Sequence, residues 1–74
     1  MRIRRLDSTT KVVEVNGVPA RIWEGETDSG IPIHAYITRV AVEEKEDQQQ
    51  FERELEQHLA PSPAVQAISL KLVL

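Results

Sequence analysis

Apolar positions along this chain keep two different periods. From Val12 to Ile37 they alternate with polar ones, Phe51, Leu55 and Leu59 recur at every fourth residue, and from Ile68 to Leu74 alternation returns. A period of two marks half-buried strands, and a period near 3.6 marks a helix with one side on the protein. Asn16-Gly17 divides two apolar runs, and Asn-Gly is the strongest short-range hairpin signal, because a type I′ turn needs positive φ at both central residues. Thr27-Asp28-Ser29-Gly30 reads as the second turn, with Gly30 suited to a left-handed position. Strands are therefore expected over residues 11–15, 18–24 and 31–42. Residues 1–10 read as a short edge segment or a loose arm.

The two loops dictate a register. A two-residue Asn-Gly loop sets Val15 opposite Val18, Glu14 opposite Pro19, Val13 opposite Ala20, Val12 opposite Arg21 and Lys11 opposite Ile22. A four-residue loop over 27–30 sets Trp23 opposite His34, Ile22 opposite Ala35, Arg21 opposite Tyr36 and Ala20 opposite Ile37. One face then gathers small aliphatics: Val13, Val15, Val18, Ala20, Ile22, Ile33, Ala35 and Ile37. The reverse gathers Val12, Glu14, Pro19, Arg21, Trp23, His34 and Tyr36. Val40 and Val42 break the parity of the third strand. Either a bulge at Thr38-Arg39 returns them to the core, or the strand runs past the sheet and something else covers its end.

Residues 44–59 read as one long helix of good formers, with Glu43, Glu44, Glu46 and Asp47 crowding its first turn. The narrow stripe Phe51, Leu55, Leu59 suits a helix laid on one face of a sheet. Pro61 and Pro63 stop it, and Ser62-Pro63 can cap a short turn through Gln66. Residues 67–74 form the last strand, parallel to the third; it pairs beside either the first strand or the third, and the first is favoured, giving order 4-1-2-3. The expected fold class is α+β, a βββαβ chain. It has a three-stranded antiparallel meander, one α-helix packed on one face and a C-terminal strand completing a four-stranded sheet, all in a single domain over residues 1–74.

Composition adds three constraints. At 74 residues without cysteine, no disulfide or thiolate metal site can brace the fold. A single core of this size supplies no more than about 3–5 kcal/mol, so tight packing or self-association must do the rest. Charge is segregated: residues 1–23 are net basic, residues 24–58 strongly acidic, and the whole carries −3. That balance disfavours general nucleic-acid binding. No apolar run reaches the ~20 residues of a membrane span. Met-Arg-Ile-Arg-Arg-Leu lacks the apolar stretch of a secretory signal, so a cytoplasmic location is expected.

The candidate site follows from the register. Arg21, Trp23, His34 and Tyr36, which include the chain's sole Trp and Tyr, are expected to meet on the face a lone helix leaves open, with Val12 and Pro19 extending it. Exposed Trp, Tyr and Arg are the composition of an interface hot spot; cross-strand pairing that only steadies the sheet is the plainer account. His34 and His58 lie on different elements with no third ligand, so no metal is expected. Glu24, Glu26 and Asp28 read as a solvated hairpin loop, and Ser8-Thr9-Thr10 has no base placed near it. No cofactor and no catalytic residue is indicated. The leading expectation is a non-enzymatic binding module that self-associates or takes a protein partner through the exposed aromatic sheet face or an exposed strand edge. The second is a nucleic-acid-associated accessory, using Arg2, Arg4, Arg5, Lys11 and Arg21 with an aromatic stacked on a base. An enzyme comes third.

Two segments, Val15-Asn16-Gly17-Val18-Pro19-Ala20-Arg21-Ile22-Trp23-Glu24-Gly25-Glu26-Thr27 and Gly30-Ile31-Pro32-Ile33-His34-Ala35-Tyr36-Ile37-Thr38-Arg39, cover about half the chain. Their wording resembles short uncharacterised bacterial proteins found among prophage and mobile-element genes. The resemblance implies a small accessory protein rather than a metabolic enzyme. It implies no activity and no functional residue.

Overall fold

Asn16 and Gly17 both adopt positive φ (50° and 84°) in the computed structural model, which describes residues 1–74. This turn joins strand β1 (Ile3–Val15) to β2 (Val18–Thr27) with Val15 opposite Val18, Glu14 opposite Pro19, Val13 opposite Ala20 and Val12 opposite Arg21. Residues 3–10 are thus the first half of a thirteen-residue strand rather than a separate arm. β3 (Pro32–Ile37) pairs antiparallel with β2, and β4 (Lys71–Leu72) pairs parallel with β1. The sheet is mixed and four-stranded, in the order β3-β2-β1-β4. Two short helices, α1 (Gln48–Leu55) and α2 (Pro63–Gln66), lie between β3 and β4 in sequence.

The second hairpin differs from expectation by one residue. Thr27 N–H donates to Ile31 O at 3.0 Å, and Gly30 N–H donates to Thr27 O at 2.9 Å. The loop is therefore the three residues Asp28-Ser29-Gly30, with Gly30 at φ 86°. A turn closed by a left-handed glycine is the usual three-residue hairpin. The Thr27 side chain helps to close it: Ile31 N–H donates to Thr27 Oγ1 at 3.1 Å. Ile22 now faces Tyr36, Trp23 faces Ala35, Arg21 faces Ile37 and Glu24 faces His34. A one-residue change exchanges the faces of the whole of β3.

β1 carries a second irregularity. Ser8 pairs with Trp23 and Val12 with Arg21, so Thr9, Thr10 and Lys11 all stand opposite Ile22. Thr9 fills the gap in the ladder. Its hydroxyl donates to Ile22 O at 2.8 Å, and its carbonyl accepts from Arg21 Nη1 at 2.9 Å. On the other side of the bulge, Thr10 N–H donates to Leu59 O (3.0 Å) and Leu59 N–H to Ser8 O (2.9 Å). Leu59 is claimed by this pairing, which is why the helix expected to reach it ends at Leu55. At the start of α1, Asp47 Oδ1 accepts from Gln50 N–H at 3.0 Å, an N-cap that leaves Glu43, Glu44 and Glu46 outside the helix. The other two long elements are also shorter than expected. β3 stops at Ile37, so Val40 and Val42 need no bulge, and β4 pairs only at Lys71 and Leu72.

The core sits where the short helix lands. Val13, Ile22 and Val65 are buried together, with Val15, Tyr36, Ile68 and Leu72 packed round them. Val65 comes from α2, whose Ser62 cap accepts from Val65 N–H. α1 buries no residue. The small-aliphatic face is therefore covered by α2 and the chain after it, not by the longer helix. No helix is long and apolar enough to cross a membrane.

β1 passes close over Gly25 of β2; a Cβ built there would meet the Arg5 carbonyl oxygen and carbon and the Leu6 Cα, all backbone. The Gly25→Ala chain is expected to lose about 3 kcal/mol. That is most of the stability a core this small supplies, so urea unfolding should find it largely unfolded in water. Gly17→Ala meets nothing and should cost only about 1 kcal/mol, from its positive φ.

Candidate interaction surfaces

Parity decides which side chains can cooperate. With Ile22 in the core, Arg21 and Trp23 point to the opposite face of β2. His34 and Tyr36 lie on the core side, where Tyr36 packs against the buried cluster and His34 stands opposite Glu24. The expected constellation of Arg21, Trp23, His34 and Tyr36 is split between the two faces. The error lay in the length of the Asp28–Gly30 loop. Val12 and Pro19, expected beside that constellation, are exposed at the turn end of the first hairpin; Val12, opposite Arg21, shares the face of Trp23, and Pro19 does too.

The Trp23 face is roofed by α1 without being filled. An open groove of about 590 Å³ lies between them, lined by Trp23, Val40, Phe51 and Leu55, with Arg21, Arg39 and His58 among its polar members. Phe51 is half-buried and Leu55 exposed, so the apolar stripe of α1 faces the sheet across space. Sequence reasoning missed this groove, because it assigned Phe51 and Leu55 to the other face.

One floor of the groove holds a serine–histidine contact that no local motif announces, the two residues being fifty positions apart. Ser8 Oγ lies 2.8 Å from His58 Nδ1 and 3.1 Å from Gln57 O. The carbonyl can only accept, so with both contacts made the hydroxyl donates to Gln57 and the imidazole donates to the hydroxyl. An imidazole in that role is not a base for Ser8. Ser8 is also only 9 % exposed, and no carboxylate hydrogen-bonds the far ring nitrogen. The pair pins the segment after α1 to the bulge in β1, beside the Leu59 bridge.

On the core side, Glu24 secures α2. Its carboxylate accepts from Ser62 N–H at 2.9 Å and from Ser62 Oγ at 2.5 Å. The hydroxyl bond, followed by the backbone bond, holds this carboxyl below its ordinary range; nearby His34 and Arg5 push the same way and burial opposes them.

The basic residues near the N-terminus are largely engaged within the chain. Arg4 pairs with Glu26 at 2.9 Å and Arg5 with Asp7 at 2.5 Å. Lys11 Nζ donates to Gln66 O at 3.2 Å, and Arg21 to Thr9 O. Arg2 makes no ion pair, although its carbonyl accepts from Asp28 N–H. Exposed pairs of this kind contribute roughly 0–1 kcal/mol each, so they orient side chains more than they stabilise the fold.

Part of the exposed apolar surface lies at the far edge of the sheet. Leu70, Val73 and Leu74 are 65 %, 92 % and 75 % exposed, next to the two paired residues of β4. No family model, curated protein or solved structure matches the chain.

The Glu24–Ser62 junction gives a pH dependence. A carboxyl whose folded pKa is lowered contributes stability above its ordinary value of 4.5, and that contribution is lost as pH falls through the lowered value. Glu24→Gln should therefore cost about 1 kcal/mol at pH 7, and the gap to wild type should close as the pH drops below about 4.5. Urea midpoints of both chains between pH 7 and pH 3 measure it.

Proposed function

We propose that this chain is a non-enzymatic protein-interaction module that associates with a second copy of itself. One observation carries the reading: the chain exposes far more surface than a self-sufficient fold. Its accessible area is 5685 Å², whereas a compact monomer of this mass exposes about 4,600 Å². The excess of roughly 1,100 Å² is somewhat more than the ~800 Å² per partner that a standard interface buries. The radius of gyration agrees, at 13.4 Å against about 11 Å for a compact chain of this length.

The excess has an apolar share. Only Val13, Ala20, Ile22 and Val65 are buried hydrophobics, while Ile3, Val12, Val18, Ile31, Leu59 and Leu70 are among those exposed. With no disulfide to constrain the unfolded chain, burying part of that surface against a partner is the remaining source of stability. The alternative, a nucleic-acid-associated accessory of a mobile element, has less support, because Arg4, Arg5, Lys11 and Arg21 already have partners within the chain.

Sedimentation velocity from 1 µM to 500 µM, a range spanning ordinary homodimer affinities, tests the reading. Growth of a dimer boundary with concentration is the expected result, unaffected by single-stranded oligonucleotide at low salt. A monomer throughout removes it.

A further inference from the structure

We infer that the interface is the outer edge of β4, paired antiparallel with β4 of a second copy about a two-fold axis at Leu72; this rests on the self-association proposed above. Backbone direction shows which groups are free. Glu14 N–H donates to Leu70 O and Asn16 N–H to Leu72 O, both at 2.8 Å. Leu74 N–H donates to Asn16 Oδ1 at 2.9 Å, and Asn16 Nδ2 to Leu74 O at 3.2 Å. Residues 70, 72 and 74 thus turn their backbone toward β1. By strand alternation, residues 71 and 73 turn theirs outward. Out there, Val73 has no partner, and Lys71 N–H has only Ser69 Oγ at 3.4 Å.

Proline and charge mark the other free edges, whereas this one is apolar apart from Lys71. β3 presents Pro32, which has no N–H to offer, and the open side of the first half of β1 carries Arg4, Arg5 and Asp7. β4 has a single charge, Lys71, amid Leu70, Leu72, Val73 and Leu74. An exposed apolar edge of this kind is a template for strand addition.

The sequence is self-complementary in one frame. A two-fold axis at Leu72 puts Lys71 opposite Val73 of the partner subunit, and Val73 opposite Lys71 of the partner subunit. Those are the residues whose N–H and C=O groups point outward, so each pairing exchanges both backbone bonds. Leu72 then faces its own copy, and Leu70 faces Leu74 of the partner subunit. Leu72 already packs against the core, and Leu70 and Leu74 share its face. The contact would run one leucine stripe across both cores and cover the exposed Leu70 and Leu74 side chains. Closure about a two-fold leaves no edge for further growth at this site.

Three chains test the frame. Val73→Pro deletes an outward N–H and leaves every bond to β1 in place; lost twice by symmetry, it should weaken the dimer roughly 30-fold. Leu72→Cys should form an intermolecular disulfide on mild oxidation, and an equimolar mixture of Leu70→Cys and Leu74→Cys should yield the mixed disulfide in preference to either homodimer. Circular dichroism and Trp23 emission report whether each variant is folded. Weakened association together with these cross-links supports the frame. A wild-type dimer that Val73→Pro leaves intact and that none of the cysteines captures overturns the β4 interface while leaving self-association standing. A wild-type chain that stays monomeric overturns both.

Discussion

Two faces of one small sheet must be covered, and the chain provides only two short helices to cover them. α2 spends its one buried side chain, Val65, on the face of Val13 and Ile22. α1 stands over the other face and buries nothing. Every other feature follows from this shortage: the open groove beside Trp23, the accessible surface in excess of a compact monomer's, and the leucines left in solvent at the sheet edge. Burial of apolar area is the main favourable term in folding. The self-association proposed above would add to it by burying apolar surface against a second copy.

Polar contacts do an unusual share of the holding. Asn16 serves twice, supplying a left-handed turn residue and gripping the Leu74 backbone with both ends of its amide. Thr9 replaces missing ladder bonds at the β1 bulge, Ser8 and His58 fasten the chain after α1 to that bulge, and Glu24 fixes the cap of α2. Each ties together segments at least a dozen residues apart in sequence. No buried side-chain nitrogen or oxygen is left without a partner, as a marginal core requires, since one orphaned group costs about 1–3 kcal/mol.

What could be read from the sequence was local. The Asn16-Gly17 turn and its register were legible because only one turn type suits that dipeptide there. The Ser62-Pro63 start of α2 was legible because a cap and a first-turn proline are adjacent in sequence. The α+β class followed from such signals too, but the place of β4 was left between β1 and β3, and the long-range pairing of Glu14 and Val15 with Lys71 and Leu72 decides it for β1. The second turn was not legible, since Thr27-Asp28-Ser29-Gly30 accommodates a loop of three or four residues. The difference lies in Thr27 bonding across to Ile31. That one residue of parity separated His34 and Tyr36 from Arg21 and Trp23, and with them the expected binding surface. The end of α1 and the Ser8–His58 contact depend on partners about fifty residues away, which no periodicity records.

The central claim, that a partner copy completes this fold, is tested most directly by the concentration dependence of its stability. Unfolding in urea, followed by Trp23 emission, should show a midpoint that climbs as protein concentration rises from 1 to 100 µM, because mass action adds binding energy to the folded state only. A midpoint that stays fixed across that range would mean that the single chain, with its three-residue core, is sufficient by itself.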